Sequence, residues 1–419
     1  MAIGYLDSTY LTSIGNAIRE KNDTQNTYTP SQMPQAIRDI PSPPQPYKHV
    51  TFIDYDGEIV GTYTREEALA LTQSPTPPSH LNDELPLVFE DYNWTLQEIK
   101  QQLTDHPALP IIAGATYHSP DGYTHALCSV PAHGHMVAYM TYPGSIQWGD
   151  GRTTEAVEGE TFYYNNYNEA GDYHIIIDSD CVGFKGNGRS YTPRKISFAQ
   201  NVQLLNGFAD CWQIEAIPFT NDISFPNFLA TQGLTKLKAF VIPKSDTYNN
   251  QQFALYGLKV LSVPPDFEPQ SFRFSNLRKL EHFAFPYNYP SMIDGLDRTS
   301  LTDIVIPGSK SSVPQPDGQI TPIWKRLYIE EGVTRFSYNA TLYYTNCLEE
   351  IHFPSTMTFI GEFQYATGAT IYCLAQTPPT LTSIGPMPAV IYIPYGTTSA
   401  YESAQYWSDW AGKYEELPQ

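Results

Sequence analysis

The chain has 419 residues, and its 44 acidic and 24 basic side chains give a formal net charge of −20 at pH 7. A field of that sign repels nucleic acid and anionic lipid, so neither is expected as a partner. Charged residues form 16 % and aromatic residues 14 % of the chain, and 35 residues are proline, which excludes a coiled coil and favours several modules built from short strands.

Two short amphipathic helices are predicted in the first forty residues, as an anchor at residues 1–40. A helix pair of this size cannot bury a core alone, so it is expected to dock on a neighbour or on a second copy of the chain. Four prolines within residues 41–46 predict an extended linker. The apolar side chains that define the helices are Leu11, Ile14 and Ile18, then Met33, Ile37 and Ile40.

A small α+β module is predicted at residues 47–107. The run HVTFIDYDGEIVGTY predicts a hairpin with a type I′ turn at Asp56-Gly57. Two capping boxes follow, Thr64 with Glu67 and Thr95 with Glu98, and each predicts the start of a helix.

The pattern becomes all-β at residues 108–185. Trp148 is expected in a β-sandwich core, with a tight turn at residues 149–151 behind it. The phrases SIQWGDG and YNEAGDYHIII resemble the polycystic-kidney-disease-type immunoglobulin-like domain, with Asn165 or Asn166 where that family has a histidine. The resemblance implies a spacer or adhesion module. A strand facing the core is predicted from the alternation of Tyr173, Ile175 and Ile177.

One seven-residue phrase, apolar-x-x-apolar-x-apolar-Pro, recurs every 21 to 24 residues in the C-terminal half. A period of about 22 residues is typical of a solenoid. The first, fourth and sixth residues are expected to face inward, the proline to end each strand, and the stacked strands to form a parallel ladder. The terminal YESAQYWSDWAGKY is expected to cap the last edge. The phrase occurs as IEAIPFT from Ile214, LKAFVIP from Leu237, LKVLSVP from Leu258, LEHFAFP from Leu280, LTDIVIP from Leu301, WKRLYIE from Trp324, LEEIHFP from Leu348, and VIYIP ending at Pro394.

These repeats resemble the BspA-type leucine-rich repeat over roughly residues 190–415, and the ending IYCLAQTPPTL…IYIPYGTTSAYESAQYW is similar to the C-terminal close of that family. The resemblance implies a surface-exposed binding protein of a bacterium or its virus, and not an enzyme. The phrase LTSIGNAIREKNDTQNTYTPSQMPQAI resembles the start of tail and fibre proteins of tailed bacteriophages of gut Gram-positive bacteria. The run TFIDYDGEIVGTYTREEALALT resembles a segment beside it in the same proteins. The start of the chain also lacks the features of a secretion signal, which favours a virion protein over a bacterial adhesin.

Groups that could carry chemistry are each assigned a structural role. The histidines 118, 125, 133 and 135 are read as exposed loop residues, because no carboxylate stands at a known metal-ligand spacing. Lys185 to Arg189 is read as a connector. The five cysteines are read as small buried hydrophobes, and no metal or cofactor is expected. The acids Asp178, Asp180, Glu349 and Glu350 are read as a solvated rim, since adjacent acids in a strand point to opposite faces.

Tyrosine is abundant, with 31 residues, and it supplies rigid contact area for sugars or proteins at low entropic cost. The alternative is that half or more of these rings pack between coils. The candidate binding residues lie in or beside the inter-repeat loops and are Tyr248, Tyr256, Tyr287, Tyr289, Tyr338, Tyr343 and Tyr344.

Together these features predict a multidomain, mainly β, non-enzymatic protein with four modules. The expected function is that of a phage tail fibre or receptor-binding protein; the alternatives are a capsid or tail decoration protein, a head fibre, a bacterial surface adhesin or, from another class, a surface polysaccharide hydrolase. Expected partners are other virion proteins through residues 1–40, a host surface protein or polysaccharide, and further copies of the chain. The expected location is the virion, after assembly in the host cytoplasm. The modules are a helical anchor at 1–40 with a linker at 41–46, an α+β module at 47–107, an immunoglobulin-like β-sandwich at 108–185, and a leucine-rich-repeat solenoid with its cap at 190–419.

Overall fold

The computed structural model is mainly β, and 9 % of the residues that it describes are helical. The predicted anchor and linker lie outside the described residues. No helix within the described part of the chain is long and apolar enough to cross a membrane. The described residues are 49–140, 143–157, 162–179, 181–184, 193–204, 208, 211–223, 234–244, 255–267, 277–287, 299–309, 323–336, 347–361, 367–383 and 385–418.

The first module, residues 49–118, is a four-stranded sheet with two helices. Its strand order is β2-β1-β4-β3, with β1 and β4 parallel and the other pairs antiparallel. Both predicted capping boxes are present and begin the two helices, so these predictions are confirmed. The elements are β1 Val50–Ile53, β2 Ile59–Tyr63, α1 Arg65–Ala70, β3 Val88–Tyr92, α2 Leu96–Asp105 and β4 Ile111–His118.

The predicted β1–β2 hairpin is present, but its connection is not a type I′ turn. The Gly57 N–H donates to the Asp54 carbonyl (3.0 Å), and the Asp54 N–H donates to the Glu58 carbonyl (2.8 Å). In this fully described loop only Gly57 has a positive φ, of +93°. A type I′ turn requires two such residues. Asp56 keeps an ordinary backbone conformation, and a longer loop closes the hairpin.

The module boundaries differ from those predicted at 107/108 and at 190. Strand β4 lies beyond residue 107, yet it pairs with β1 and β3 and forms the middle of the first sheet. Residues 193–204 are predicted to belong to the solenoid. They instead form the last strand, in chain order, of each of the two sheets that follow the first module. Both differences arise from strand pairing between distant parts of the chain.

The two-sheet module, residues 124–204, follows. One sheet has the order β12-β5-β10-β7-β8, and the other has the order β13-β11-β6-β9. Both sheets contribute to one hydrophobic core around Trp148, which is 1 % exposed. The strands are β5 Thr124–Val130, β6 His135–Tyr139, β7 Gly144–Gln147, β8 Thr153–Ala156, β9 Tyr163–Asn166, β10 Gly171–Asp178, β11 Cys181–Phe184, β12 Pro193–Ser197 and β13 Gln203–Leu204.

The sequence signals of this module have clear structural roles. Ile175 and Ile177 are buried on β10 as predicted, while Tyr173 is half-buried. The turn after Trp148 has positive φ at both of its glycines. Asn165 is buried, and its side-chain amide donates to Asp150 in that turn (2.9 Å). An asparagine therefore ties β9 to the turn at this position.

The C-terminal part is a β-solenoid of about seven turns. Its parallel strands form sheets in the orders β14-β15-β16, β17-β18-β20-β22-β24-β25 and β19-β21-β23. The strands are β14 Ala239–Val241, β15 Val260–Ser262, β16 His282–Phe283, β17 Asp303–Ile306, β18 Arg326–Ile329, β19 Arg335–Phe336, β20 Glu350–Phe353, β21 Phe359–Ile360, β22 Thr370–Cys373, β23 Thr380–Leu381, β24 Val390–Ile393 and β25 Tyr414–Glu416.

Burial confirms the register that the phrase predicts. In the phrase that begins at Leu301, the first, fourth and sixth residues are each 2 % exposed, whereas Val305 between them is half-buried. The same alternation holds in β18, β20, β22 and β24. The core of the solenoid is continuous with that of the two-sheet module.

The end of the solenoid is capped, as expected, by helix α3 (Thr398–Ser403), a 3-10 helix (Trp407–Trp410) and β25. Tyr401, Trp407 and Trp410 are buried. The Tyr401 hydroxyl donates to the Ala375 carbonyl (2.7 Å), and the Trp407 indole N–H donates to the Pro379 carbonyl (2.8 Å). The cap therefore packs on the last core layer, and its own final strand extends the sheet.

The cysteine prediction holds only in part. Cys128, Cys211 and Cys373 are buried, as expected of small apolar residues, but Cys347 is half-buried, so the prediction is wrong for that residue. Cys347 lies in the turn before β20, where the side chain is only partly covered. The side chain of Cys181 lies outside the described set.

Candidate functional site

The outer face of the solenoid, opposite its core, carries the third and fifth residues of each phrase. Because parallel strands lie in register about 4.8 Å apart, residues at one phrase position form a column along the solenoid axis. Strand pairing places consecutive fifth-position residues side by side in the sheet that begins with β14 and in the six-stranded sheet. The fifth-position column is Val241, Ser262, Ala284, Val305, Tyr328, His352, Tyr372 and Tyr392.

The first part of this face is occupied by the first module. Ser262 donates to the Ile112 carbonyl (2.7 Å) and accepts from the amide of Asn93, which is fully buried. A Cβ added to Gly114 would stand 2.4 Å from a methyl group of Val241. Small residues on both sides therefore allow the first module to pack tightly on the solenoid.

The end of helix α2 makes a second contact with the solenoid. The His106 ring stacks on Tyr287, with centroids 3.4 Å apart, and its Nδ1 lies 3.4 Å from a carboxylate oxygen of Glu330. Burial raises the pKa of Glu330, although the Gly308 N–H and His106 oppose that shift. The first module therefore also contacts the segment after β16, at Tyr287, and the residue that follows β18, Glu330.

The four aromatic residues of the column form a continuous stack. Ring centroids are 5.0 Å apart for Tyr328 and His352, 4.1 Å for His352 and Tyr372, and 4.8 Å for Tyr372 and Tyr392. The interplanar angles are 29°, 5° and 19°. The inner rings face one another, so their edges are turned towards solvent. His352 is further fixed by Glu350, which lies 2.5 Å from its Nε2.

The column can offer hydrogen-bond donors at neutral pH. Burial raises the pKa of Tyr328, with a further contribution from Glu331 and Glu330. Burial and then Glu350 raise the pKa of Tyr372. These phenols therefore keep their protons. A rigid row of polar ring edges suits a neutral, hydroxyl-rich ligand or a polar protein surface.

A small polar cleft of about 310 Å³ lies on the same side of the sheet. Its charges are largely compensated: Lys325 pairs with Glu349 at 3.3 Å, and Arg326 pairs with Asp303. Glu349 and Glu350 both line it. Both carboxylates are partly exposed, as expected of a solvated rim, and Glu349 directly precedes β20 while Glu350 is its first residue. The cleft is lined by Thr302, Asp303, Lys325, Arg326, Glu349 and Glu350.

Two of the tyrosines predicted from sequence are described. Tyr256 is 52 % exposed in the turn before β15. Tyr287 stacks on His106, so that ring face serves an internal contact. The other five, Tyr248, Tyr289, Tyr338, Tyr343 and Tyr344, lie outside the described residues. Sequence reasoning missed the stacked column, although aligning the phrases on their fifth residue would have revealed it.

The remaining polar clusters also have structural partners. His118 is the last residue of β4 and not a loop residue. Its Nδ1 contacts a carboxylate oxygen of Glu90 (2.9 Å). His125, on β5, contacts Asp121 (2.8 Å) and His174 (2.9 Å). His135 likewise begins a strand, β6, whereas His133 is an exposed turn residue. Among the described residues, no group of three or more His, Cys, Asp or Glu side chains could hold a metal ion.

Comparison with known proteins adds no relative to this description. The sequence matches no protein-family model, and no curated protein matches it.

Proposed function

We propose that the protein is a non-catalytic binding protein that uses the outer face of its solenoid to hold a partner. More particularly, we propose a bacteriophage tail fibre or receptor-binding protein that attaches the virion to the host surface. The resemblances of the N-terminal segment, the PKD-type module and the BspA-type repeats support this role. The anchor at residues 1–40 would join the other virion proteins, and several copies would act together.

The observation that carries the proposal is the aromatic stack on the outer face. The first part of that face is used to hold the first module, whereas the part from Tyr328 to Tyr392 has partly exposed polar edges. Stacking fixes these side chains before any partner arrives, which lowers the entropic cost of binding. The continuous core behind the sheet gives the surface a rigid support.

The test compares the binding of full-length protein to a panel of gut Gram-positive bacteria, as a monomer and as a streptavidin-linked tetramer. Binding should be weak for the monomer and strong for the tetramer, because linked sites raise the effective concentration. Replacing Tyr328, Tyr372 and Tyr392 together by Phe keeps the stack but removes three hydroxyl groups. At about 1 kcal/mol for each lost hydrogen bond, cell binding should fall by tenfold or more.

Tyr395→Phe is the matched control, because Tyr395 is 60 % exposed but lies in the turn after β24, outside the column. It should bind like the parent protein. Equal binding by the triple variant would refute the role of the column. Failure of the tetramer to bind any cell, with density for the protein on the head of reconstructed particles, would favour a decoration role. Release of soluble sugars from cell wall would instead indicate a hydrolase.

A further inference from the structure

A cleft of about 660 Å³ lies where the β1–β2 hairpin, β12 and the first two solenoid strands meet. The hairpin tip reaches the solenoid closely, since a Cβ on Gly57 would stand 2.7 Å from the Cβ of Ala239. Ala239 and Val260 of neighbouring strands belong to the lining. All three modules therefore contribute to one concave surface.

The cleft concentrates positive charge in an acidic protein. Five cations line it, Arg194, Lys195, Lys236, Lys238 and Lys259, against 24 basic residues in the whole chain. The carboxylates in its lining are Asp56, Glu58, Asp83 and Glu215. The ratio of basic to acidic side chains here is thus above one, whereas in the chain as a whole it is close to one half.

The two cations from β12 share one carboxylate, that of Glu84. Arg194 forms a two-pronged contact with Glu84, and the Lys195 ammonium lies 3.3 Å from the same carboxylate. The Arg194 guanidinium and then Lys195 lower the pKa of Glu84 to about 2. These three side chains therefore form an ion-pair cluster with a structural role on this side of the cleft.

The lysines of the solenoid wall are only partly compensated. Lys238 and Lys259 hold the same phrase position on adjacent turns, and the Lys259 N–H donates to the Lys238 carbonyl (2.7 Å). Like charges side by side on neighbouring strands destabilise a sheet. Lys259 is offset by Glu281 at 2.9 Å, but Lys238 has no ion-pair partner among the described residues. Lys236 lies 4.0 Å from Glu215, at the limit of an ion pair.

We infer that this cleft binds a glycan that carries carboxylate or phosphate groups, with its anionic group at Lys236, Lys238 and Lys259. An anion there would relieve the repulsion between the lysines and form charge-assisted hydrogen bonds. Asp56 and Glu58 of the hairpin accept hydrogen bonds from sugar hydroxyls, which suits a ligand that is both acidic and hydroxylated. The exposed ring of Trp212 lies in the turn that contains Gln213 of the lining, and that of Tyr256 lies in the turn before β15; both offer faces for stacking.

The test titrates full-length protein with three purified probes, a tetragalacturonate, a glycerol phosphate tetramer and neutral maltotetraose, by calorimetry. At least one anionic probe should bind, and raising the salt from about 50 to about 300 mM should weaken that binding. Maltotetraose should not bind detectably. The two anionic probes distinguish a carboxylate-bearing from a phosphate-bearing ligand. No virion or host cell is needed, so this test is independent of the proposed attachment function.

Lys238→Gln should weaken binding of the anionic probe by about tenfold, as expected for one charge-assisted hydrogen bond. Lys325→Gln is the matched control. Lys325, like Lys238, is the second residue of its phrase, but it lies outside this cleft, in the solenoid turn that contains β18, and pairs with Glu349. It should bind within about twofold of the parent. Equal losses in both variants, no loss in Lys238→Gln, binding of maltotetraose as tight as that of the anionic probes, or no binding of either anionic probe would each overturn the inference.

Discussion

Replacing Ile304 by Asp tests the register of the solenoid most directly. Ile304 is 2 % exposed on β17, the first strand of the six-stranded sheet, where its strand partner is Leu327 on β18. Burial in such a site raises the pKa of a carboxyl group by about 3–5 units from its usual value of about 3.9, and at pH 7 this shift corresponds to a cost of about 4 kcal/mol. The lost packing of the isoleucine adds about 2–4 kcal/mol. The sum is comparable with the whole stability of an ordinary domain.

Ile304→Asn isolates the charge, because it has nearly the same shape as Asp and cannot ionise. Urea unfolding followed by circular dichroism should show the Asp variant several kcal/mol less stable than the Asn variant at pH 7. The two should converge towards pH 4, where the buried carboxyl group is neutral. Thr302→Asp, at a half-buried position whose hydroxyl contacts Asp303, should cost less than about 1 kcal/mol. Equal stability of Ile304→Asp and Ile304→Asn at pH 7, or an equal loss in Thr302→Asp, would refute the register.

Three further predictions concern the first module and the anchor. The pKa of His80 is raised, because hydrogen bonds to Asp54 and Asp83 outweigh the effect of burial. The stability that this shift contributes is complete below the unfolded pKa of 6.5 and is lost as the pH rises through the higher folded pKa. His80→Gln should therefore flatten the fall in hydrogen-exchange protection of this module between about pH 6 and 8. Asn93→Ala should lower the free energy of unfolding, measured in urea, by about 3 kcal/mol, because it leaves the buried hydrogen-bond partners of that side chain unpaired. A loss below about 0.5 kcal/mol would contradict this account of how the first module docks on the solenoid. Deleting residues 1–40 should leave a folded protein that is missing from purified virions, and normal incorporation would contradict the anchor assignment.

The sequence predicts local features well where a short segment determines its own geometry. The capping boxes at Thr64 and Thr95 need only four residues each, and both form. The solenoid register is equally accessible, because every turn repeats the same inward positions and in-register stacking multiplies a weak signal. The prediction of a type I′ turn is wrong because the residue pair Asp56-Gly57 does not determine the length of the loop around it.

The module boundaries could not be read in the same way. Strand β4 joins the first sheet through β1, which lies about 60 residues earlier in the chain. The Asn93 side chain hydrogen-bonds to Gly114, 21 residues later, and also to Ile242 and Ser262, which lie 149 and 169 residues later. No local pattern marks such partners, so residues predicted to be independent modules form one packed body.

The candidate site shows why the number of tyrosines is a weaker guide than their register. The abundance of tyrosine in the inter-repeat loops predicts a binding role for those residues, yet the ring of Tyr287 stacks on His106 of the same chain. The fifth phrase position instead changes from Val241 and Ser262, where the first module packs closely, to Tyr328 and its stacked neighbours further along. Small side chains on one part of the face permit docking by the protein's own module, and stacked rings on the next part present polar edges. The outer face of the solenoid thus has one part that the first module covers and one part that is partly exposed, and the two parts differ in the size of the fifth phrase residue in each turn.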